Sequence, residues 1–204
     1  MIHQGTKEWL DQRLGKVTAS RLNDVMMDKT RAGYQNYLAQ LVCERLTGQH
    51  SEQQKSAAMQ HGNDTEPRAR AMYELQTGLE VSEVGFVDHP IISMTGASPD
   101  GLVGKDGMIE IKCPQPAKHL KTLTGGNINT AYARQMQWQM VCTGREWCDF
   151  VSFSPEFPDE MQLHIRRVEF DPGLTAGITD CVEIFLAAVD AKIGELSQVY
   201  REAA

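Results

Sequence analysis

The spacing of apolar residues changes along this chain, and that change constrains the fold more than any other feature. Up to Gly78 the apolar positions recur at helical intervals. TASRLNDVMM (18–27, N-capped by Thr18 or Ser20), NYLAQLVCERLTG (36–48, closing on Gly48) and residues 57–77 (closing on Gly78) each predict a helix. Pro67 falls inside the third, either in the first turn of a new helix or at a kink. Beyond Gly78, LEVSEVGFVDH, IISMTG, GMIEIKC, CDFVSFS and QLHIRRVEF are rich in branched and aromatic residues, are bounded by Gly, Pro, Asp or Asn, and predict strands. Helical spacing returns over 130–142, ahead of Gly144, and over 175–200, where Ile178, Val182, Phe185, Val189, Ile193 and Leu196 form one stripe. This order predicts an α/β fold with a central mixed β-sheet flanked by helices. With no repeat or linker in it, residues 1–204 are expected to form a single domain.

Charge and composition narrow the function. The longest apolar runs, such as IFLAAV, are far short of the roughly 20 residues that span a bilayer. The N-terminal MIHQGTKEWL has no signal-peptide core, so a cytoplasmic location without membrane attachment is expected. Five scattered cysteines with no C-x-x-C pair argue for reduced thiols and against zinc or iron–sulfur centres. A net charge of −7 argues against a polyanionic partner until its distribution is considered. Residues 1–145 carry 16 basic and 15 acidic side chains, whereas 146–204 carry 4 and 12. Between Cys113 and Arg145 there are Lys118, Lys121, Arg134 and Arg145 and no carboxylate, which allows a local basic face on an acidic protein, or only a solvated loop.

The densest chemistry lies in GASPDGLVGKDGMIEIKCP (96–114). Strand geometry puts Glu110 and Lys112 on one face and Ile109 and Ile111 on the other. On a half-buried strand the two charges would be a surface pair worth under ~1 kcal/mol. If Asp100 instead ends the preceding strand, the short connection favours pairing of the two strands, and Asp100, Glu110 and Lys112 converge. Two carboxylates in a small volume repel, and hard Mg²⁺ relieves the conflict with oxygen ligands while keeping waters for substrate to replace. Lys112 could then orient or deprotonate the attacking water and stabilise a pentacovalent phosphorane, a division of labour suited to phosphodiester hydrolysis.

PD followed ten residues later by EIK resembles the PD-(D/E)xK nuclease signature. HGNDTE (61–66) resembles the Gly-x-x-x-Glu element of those nucleases, YARQMQW (132–138) their Gln-containing element, and RLGKVTAS (13–20) the opening motif of the lambda-type phage exonucleases. The order and spacing agree from about Trp9 to the C-terminal helix. The resemblance implies a restriction-endonuclease-like core and a Mg²⁺-dependent exonuclease, with Mn²⁺ as an alternative, that degrades one strand of linear double-stranded DNA from its 5′ end. It also implies a homotrimer ring around the DNA, phage or prophage origin, and a single-strand annealing protein that receives the exposed 3′ strand for recombination. Carried over by position, Glu66, Asp100, Glu110 and the Ile111 carbonyl would hold metal. Lys112 and Gln135 would position the attacking water. Arg13, Ser20 and Ser98 would receive the 5′ phosphate, for which a guanidinium, hydroxyls and a helix start are suited. Met59 falls where the family places an apolar wedge.

Each residue has a plainer role to set beside this one. Glu66 would be a helix-start acid beside Pro67, Gln135 part of an exposed stripe with Gln137 and Gln139, and Arg13 a partner of Asp11 or Glu8. His61 is read as a surface or capping residue, and Trp9, Trp138, Trp147 and the series Tyr34, Tyr37, Leu38 and Leu41 as core. A non-catalytic DNA-end-binding module would require loss of an acid or the lysine, and all four of Glu66, Asp100, Glu110 and Lys112 are present. A restriction or repair endonuclease would share the core motif without RLGKVTAS.

Overall fold

Interior strands of a sheet covered on both faces read as nearly continuous apolar runs, and two segments of this chain fit that rule. They are β6 (Gly107–Lys112) and β7 (Trp147–Phe153), which pair in parallel at the centre of a five-stranded mixed sheet. In this computed structural model, which describes residues 2–51 and 57–202 apart from the side chains of 57–59, 63, 201 and 202, the sheet order is β2 (Val81–Ser82), β5 (Gly101–Val103), β6, β7 and β8 (Leu163–Glu169). All its pairings other than β6–β7 are antiparallel. A small second sheet joins β1 (Val17–Thr18), β4 (Thr95–Ala97) and β3 (Val87–Asp88).

The helices are α1 (Lys7–Arg13), α2 (Leu22–Val25), α3 (Ala32–Thr47), α4 (Ala57–Thr77), α5 (Pro116–Leu123), α6 (Thr130–Thr143) and α7 (Pro172–Glu202). Ala69 and Tyr73 of α4 pack on the sheet face of Ile109, Ile111, Val151 and Phe153. Met136 and Met140 of α6 pack on the opposite face, against Met108, Cys148 and Phe150. A third cluster joins α2, α3, α6 and α7, where Phe185 meets the rings of Tyr34 and Tyr37 at 4.9 and 5.4 Å. The predicted stripe of α7 is its buried face, from Ile178 to Val189, with Ile193 and Leu196 packed at its margin. Gly48 and Gly144 end α3 and α6 in the left-handed conformation, which glycine adopts without a Cβ penalty.

Several expectations are revised. LEVSEVGFVDH is two short strands in different sheets rather than one. Residues 91–94 are not a strand, because the N–H groups of Ile91 and Ile92 are taken by His89 Nδ1 at 3.2 and 2.9 Å instead of a ladder partner. Segment 18–27 begins as a 3-10 turn, Ala19–Arg21, with no side-chain cap. Pro67 lies inside one uninterrupted α4. Four elements carry no legible period: β1, β5, α1, none of whose residues is buried, and α5.

Candidate active site

Glu110 and Lys112 project from the C-terminal end of β6 toward α6. The surface-pair expectation fails there, since α6 covers that face and Glu110 is 0% exposed. Lys112 Nζ and Gln135 Nε2 both donate to Glu110 Oε1, the latter at 2.7 Å, and Gln139 Nε2 donates to Oε2 at 2.6 Å. Gln135 and Gln139 are one helical turn apart and share a face. Gln137 points elsewhere, donating to the Glu169 carbonyl at 2.9 Å. Lys112 Nζ also lies over the Tyr132 ring, 5.0 Å from its centroid.

Asp100 immediately precedes β5 rather than ending the strand before it. Antiparallel pairing of Gly101 with Ile109 carries it alongside Ile111, whose N–H donates to Asp100 Oδ2 at 2.6 Å. Glu66 reaches the same place from α4 and accepts from Arg70 Nη2 at 2.6 Å. Burial, with the charges of Glu110 and Glu66 added, raises the Asp100 carboxyl well above its ordinary value. Burial likewise raises Glu66, against the pull of Arg70. For Lys112, burial works to lower the pKa but Glu110 and Asp100 outweigh it, so the ammonium pKa is held above its ordinary value. Burial and the nearby acids push the Cys113 thiol up to about 12, which leaves a neutral thiol on the wall.

Among the described residues, no three His, Cys, Asp or Glu side chains are gathered into a ready metal cage. Glu66 is engaged by Arg70, and both oxygens of Glu110 are engaged by Lys112 and the two glutamines. The donor set still fits a hard divalent ion, which needs only one or two carboxylates beside waters and substrate oxygens. Asp100 and Glu110 supply them, both lining one cleft.

The residues expected to bind phosphate lie in the same cleft of about 490 Å³, where Arg13, Ser20 and Ser98 line the wall with Asp100, Glu110, Lys112 and Gln135. Arg13 does not take Asp11, which pairs with Lys7 at 2.7 Å and His50 at 3.1 Å. Its guanidinium instead lies 3.9 Å from the centroid of the Trp9 ring, and Trp9 Nε1 donates to Ser98 Oγ at 2.9 Å. Trp9 is therefore a wall of the cleft, whereas Trp138 is core and Trp147 is half-buried beneath Arg167. The basic segment does not form one face: Lys118 lines the cleft, but Arg145 bonds the Gly104 carbonyl near the far end of β6. Met59 falls in α4, with its side chain outside the described residues.

Sequence reasoning missed Trp9, Arg70, Tyr132 and Gln139. For two of them a signal was present, since Arg70 and Gln139 each stand one turn after a predicted site residue.

Residues 8–146 match the model of the YqaJ-like viral recombinase domain. The crystal structure of an alkaline exonuclease from Laribacter hongkongensis, LHK-Exo, superposes with a TM-score of 0.92 at 50% identity, covering 98% of this chain and 100% of that one. A crystal structure of LHK-Exo in complex with dAMP matches with the same figures of 0.92 and 50%. A phage related exonuclease from Haemophilus somnus 129PT shares the fold, with a TM-score of 0.68 and 17% identity over 89% of this chain and 96% of that one. The uncharacterized protein R354 of Acanthamoeba polyphaga mimivirus is 28% identical over 163 residues, 74% of this chain, and the chain spans 29% of that curated relative's length. The mixed sheet flanked by helices is the expected restriction-endonuclease-like fold.

Proposed function

We propose a function from family and site together: the chain belongs to the YqaJ-like viral recombinase family, with the lambda-type alkaline exonucleases, and its cleft suits hydrolysis of DNA from an end. In this reading it is a Mg²⁺-dependent 5′-to-3′ exonuclease that degrades one strand of linear double-stranded DNA from a 5′-phosphorylated terminus. The observation that carries the reading is the continuity of one cleft from Arg13, Ser20 and Ser98 to Asp100, Glu110, Lys112 and Gln135. An anion pocket adjoins a hydrolytic cluster, so a terminal phosphate and a scissile phosphate can be held together.

Asp100, Glu110 and the Ile111 carbonyl would hold Mg²⁺ or Mn²⁺, with Glu66 a further carboxylate. Bound there, the ion supplies Lewis-acid stabilisation of charge on the phosphate oxygens. The protonated Lys112 places a second positive charge where the phosphorane develops and donates to the attacking water. Gln135 holds Glu110 and helps orient the same water. Water oxygen bonds to phosphorus and gives up a proton to solvent, the bond from phosphorus to O3′ breaks, and the departing O3′ takes a proton from solvent, so that one water is consumed and a 5′ mononucleotide leaves. The shortened strand then begins with a new 5′ phosphate, which suits return to the Arg13 pocket. Trp9 backs Arg13 and fixes Ser98, so the pocket is shaped before DNA arrives.

The cellular reading follows the family: an enzyme of phage or prophage origin working in the bacterial cytoplasm and passing its 3′ single strand to an annealing protein. A homotrimer ring would offset the sparse basic surface by enclosing DNA topologically. Sedimentation velocity at micromolar protein should give the mass of three subunits, and a monomer would remove the ring. The test of activity sets 5′-phosphorylated linear, 5′-hydroxyl linear and circular duplexes side by side, with Mg²⁺ and with chelator. Digestion of the phosphorylated linear duplex in Mg²⁺ alone is expected. A cut circle would identify an endonuclease, and end binding without digestion a non-catalytic module.

A further inference from the structure

We propose that Arg70 is a built-in counter-cation of the acidic cluster, a positioning residue that competes with a divalent ion for Glu66 and thereby sets the metal affinity of the cleft. This rests on the metal-site reading above, but concerns a residue that reading does not use.

Arg70 stands one helical turn after Glu66 on α4, and its side chain is 14% exposed. Nη2 donates to Glu66 Oε1 at 2.6 Å and to the Asp100 carbonyl at 3.3 Å. Nη1 donates outward to Glu83 Oε1 at 2.7 Å, and Glu83 is 53% exposed on the connection between β2 and β3. Nε is buried with no acceptor among the described residues. The shortest of the Arg70 bonds is the one to Glu66.

Charge makes the placement consequential. Glu66, Asp100 and Glu110 face two cations, Lys112 and Arg70, and Lys112 is committed to Glu110. The guanidinium is therefore the charge balancing Glu66 while no divalent ion is bound. An ion that recruits Glu66 must break a charge-assisted bond and sit near a cation that Glu83 and the Asp100 carbonyl keep in place. Removing Arg70 should do two opposite things: destabilise the metal-free protein, whose acids then repel, and strengthen metal binding.

Calorimetric titration with Mn²⁺ and with Ca²⁺, together with melting curves with and without each ion, tests this without DNA or turnover. Arg70→Gln should melt lower than wild type when metal-free, bind Mn²⁺ about tenfold more tightly, and gain more melting temperature on adding metal. Arg70→Lys, which keeps the charge, should stay near wild-type affinity. Arg70→Met, which keeps the buried stem and drops the charge, should tighten binding to a similar extent and carries the test if Arg70→Gln does not fold. Affinity unchanged or weakened in whichever of the two variants folds would make Arg70 a structural strut and overturn the proposal. Asp100→Asn separates the two levels. If wild type binds metal no better than Asp100→Asn, the metal-site reading fails; if it binds well and the Arg70 series does not differ, only the counter-cation fails.

Discussion

Adjacent strands of one sheet each bury a carboxylate, and the two are treated in opposite ways. Asp149 on β7 is 3% exposed. It receives Arg167 through two bonds of 2.9 and 3.0 Å, and the Tyr73 hydroxyl at 2.8 Å. One cation answers one anion, and Arg167 stacks on Trp147. Glu110 on β6, on the other sheet face, is shared among Lys112, Gln135 and Gln139, with the raised carboxyls of Asp100 and Glu66 close enough to act on one another. A buried acid matched one-to-one serves the fold, whereas acids crowded at a cleft hold unfavourable charge that substrate or metal can relieve.

The sharpest way to break the comparison is Lys112→Ala. It should lower turnover per folded molecule by about 10²-fold or more with DNA-end binding retained, because it removes interactions with the reacting phosphate, while the metal-free protein melts lower for want of the cation beside buried Glu110 and recovers on adding Mg²⁺. Near wild-type rates at saturating Mg²⁺ would return Lys112 to the structural class.

Asp149→Ala should show the reverse. It leaves the buried Tyr73 hydroxyl unpaired, while Arg167, whose side chain is 46% exposed, can turn to solvent, so a loss of about 2 kcal/mol in chemical denaturation is expected. Activity per folded molecule should be unchanged, and a loss of turnover without loss of stability would erase the distinction.

Arg13→Ala should reduce the preference for a 5′ phosphate over a 5′ hydroxyl roughly tenfold, as expected for the loss of a charge-assisted contact. An unchanged rate ratio for the two ends would move the phosphate pocket elsewhere.

Gln139→Leu is the finest probe. It removes one donor to Glu110 and also a buried Oε1 that lacks a partner among the described residues. Turnover should fall roughly fivefold with a stability loss held to about 1–2 kcal/mol, since the bond lost is to a charged acceptor while the orphaned Oε1 disappears with it. Falling stability at constant turnover would assign Gln139 to the same class as Asp149.

Local pattern carried much of this protein in its sequence. Helical spacing placed α3, α4, α6 and α7, branched and aromatic runs placed β6, β7 and β8, and Gly48 and Gly144 marked their helix ends, because these features depend on neighbours within a turn or a strand. The chemistry-bearing residues from Arg13 to Gln135 were likewise legible as motifs. Their surroundings were not. Alternation along GMIEIKC implies a wet face only if nothing covers it, and α6, about twenty residues later in the chain, makes Glu110 a core residue. Trp9 stands in a short helix with no buried face and became a cleft wall through a bond to Ser98, 89 residues away. Arg70 reads as one more helix-surface cation until folding sets it between Glu66, Glu83 and Asp100. Burial and charge balance depend on groups distant along the chain, and only the packed structure brought them together.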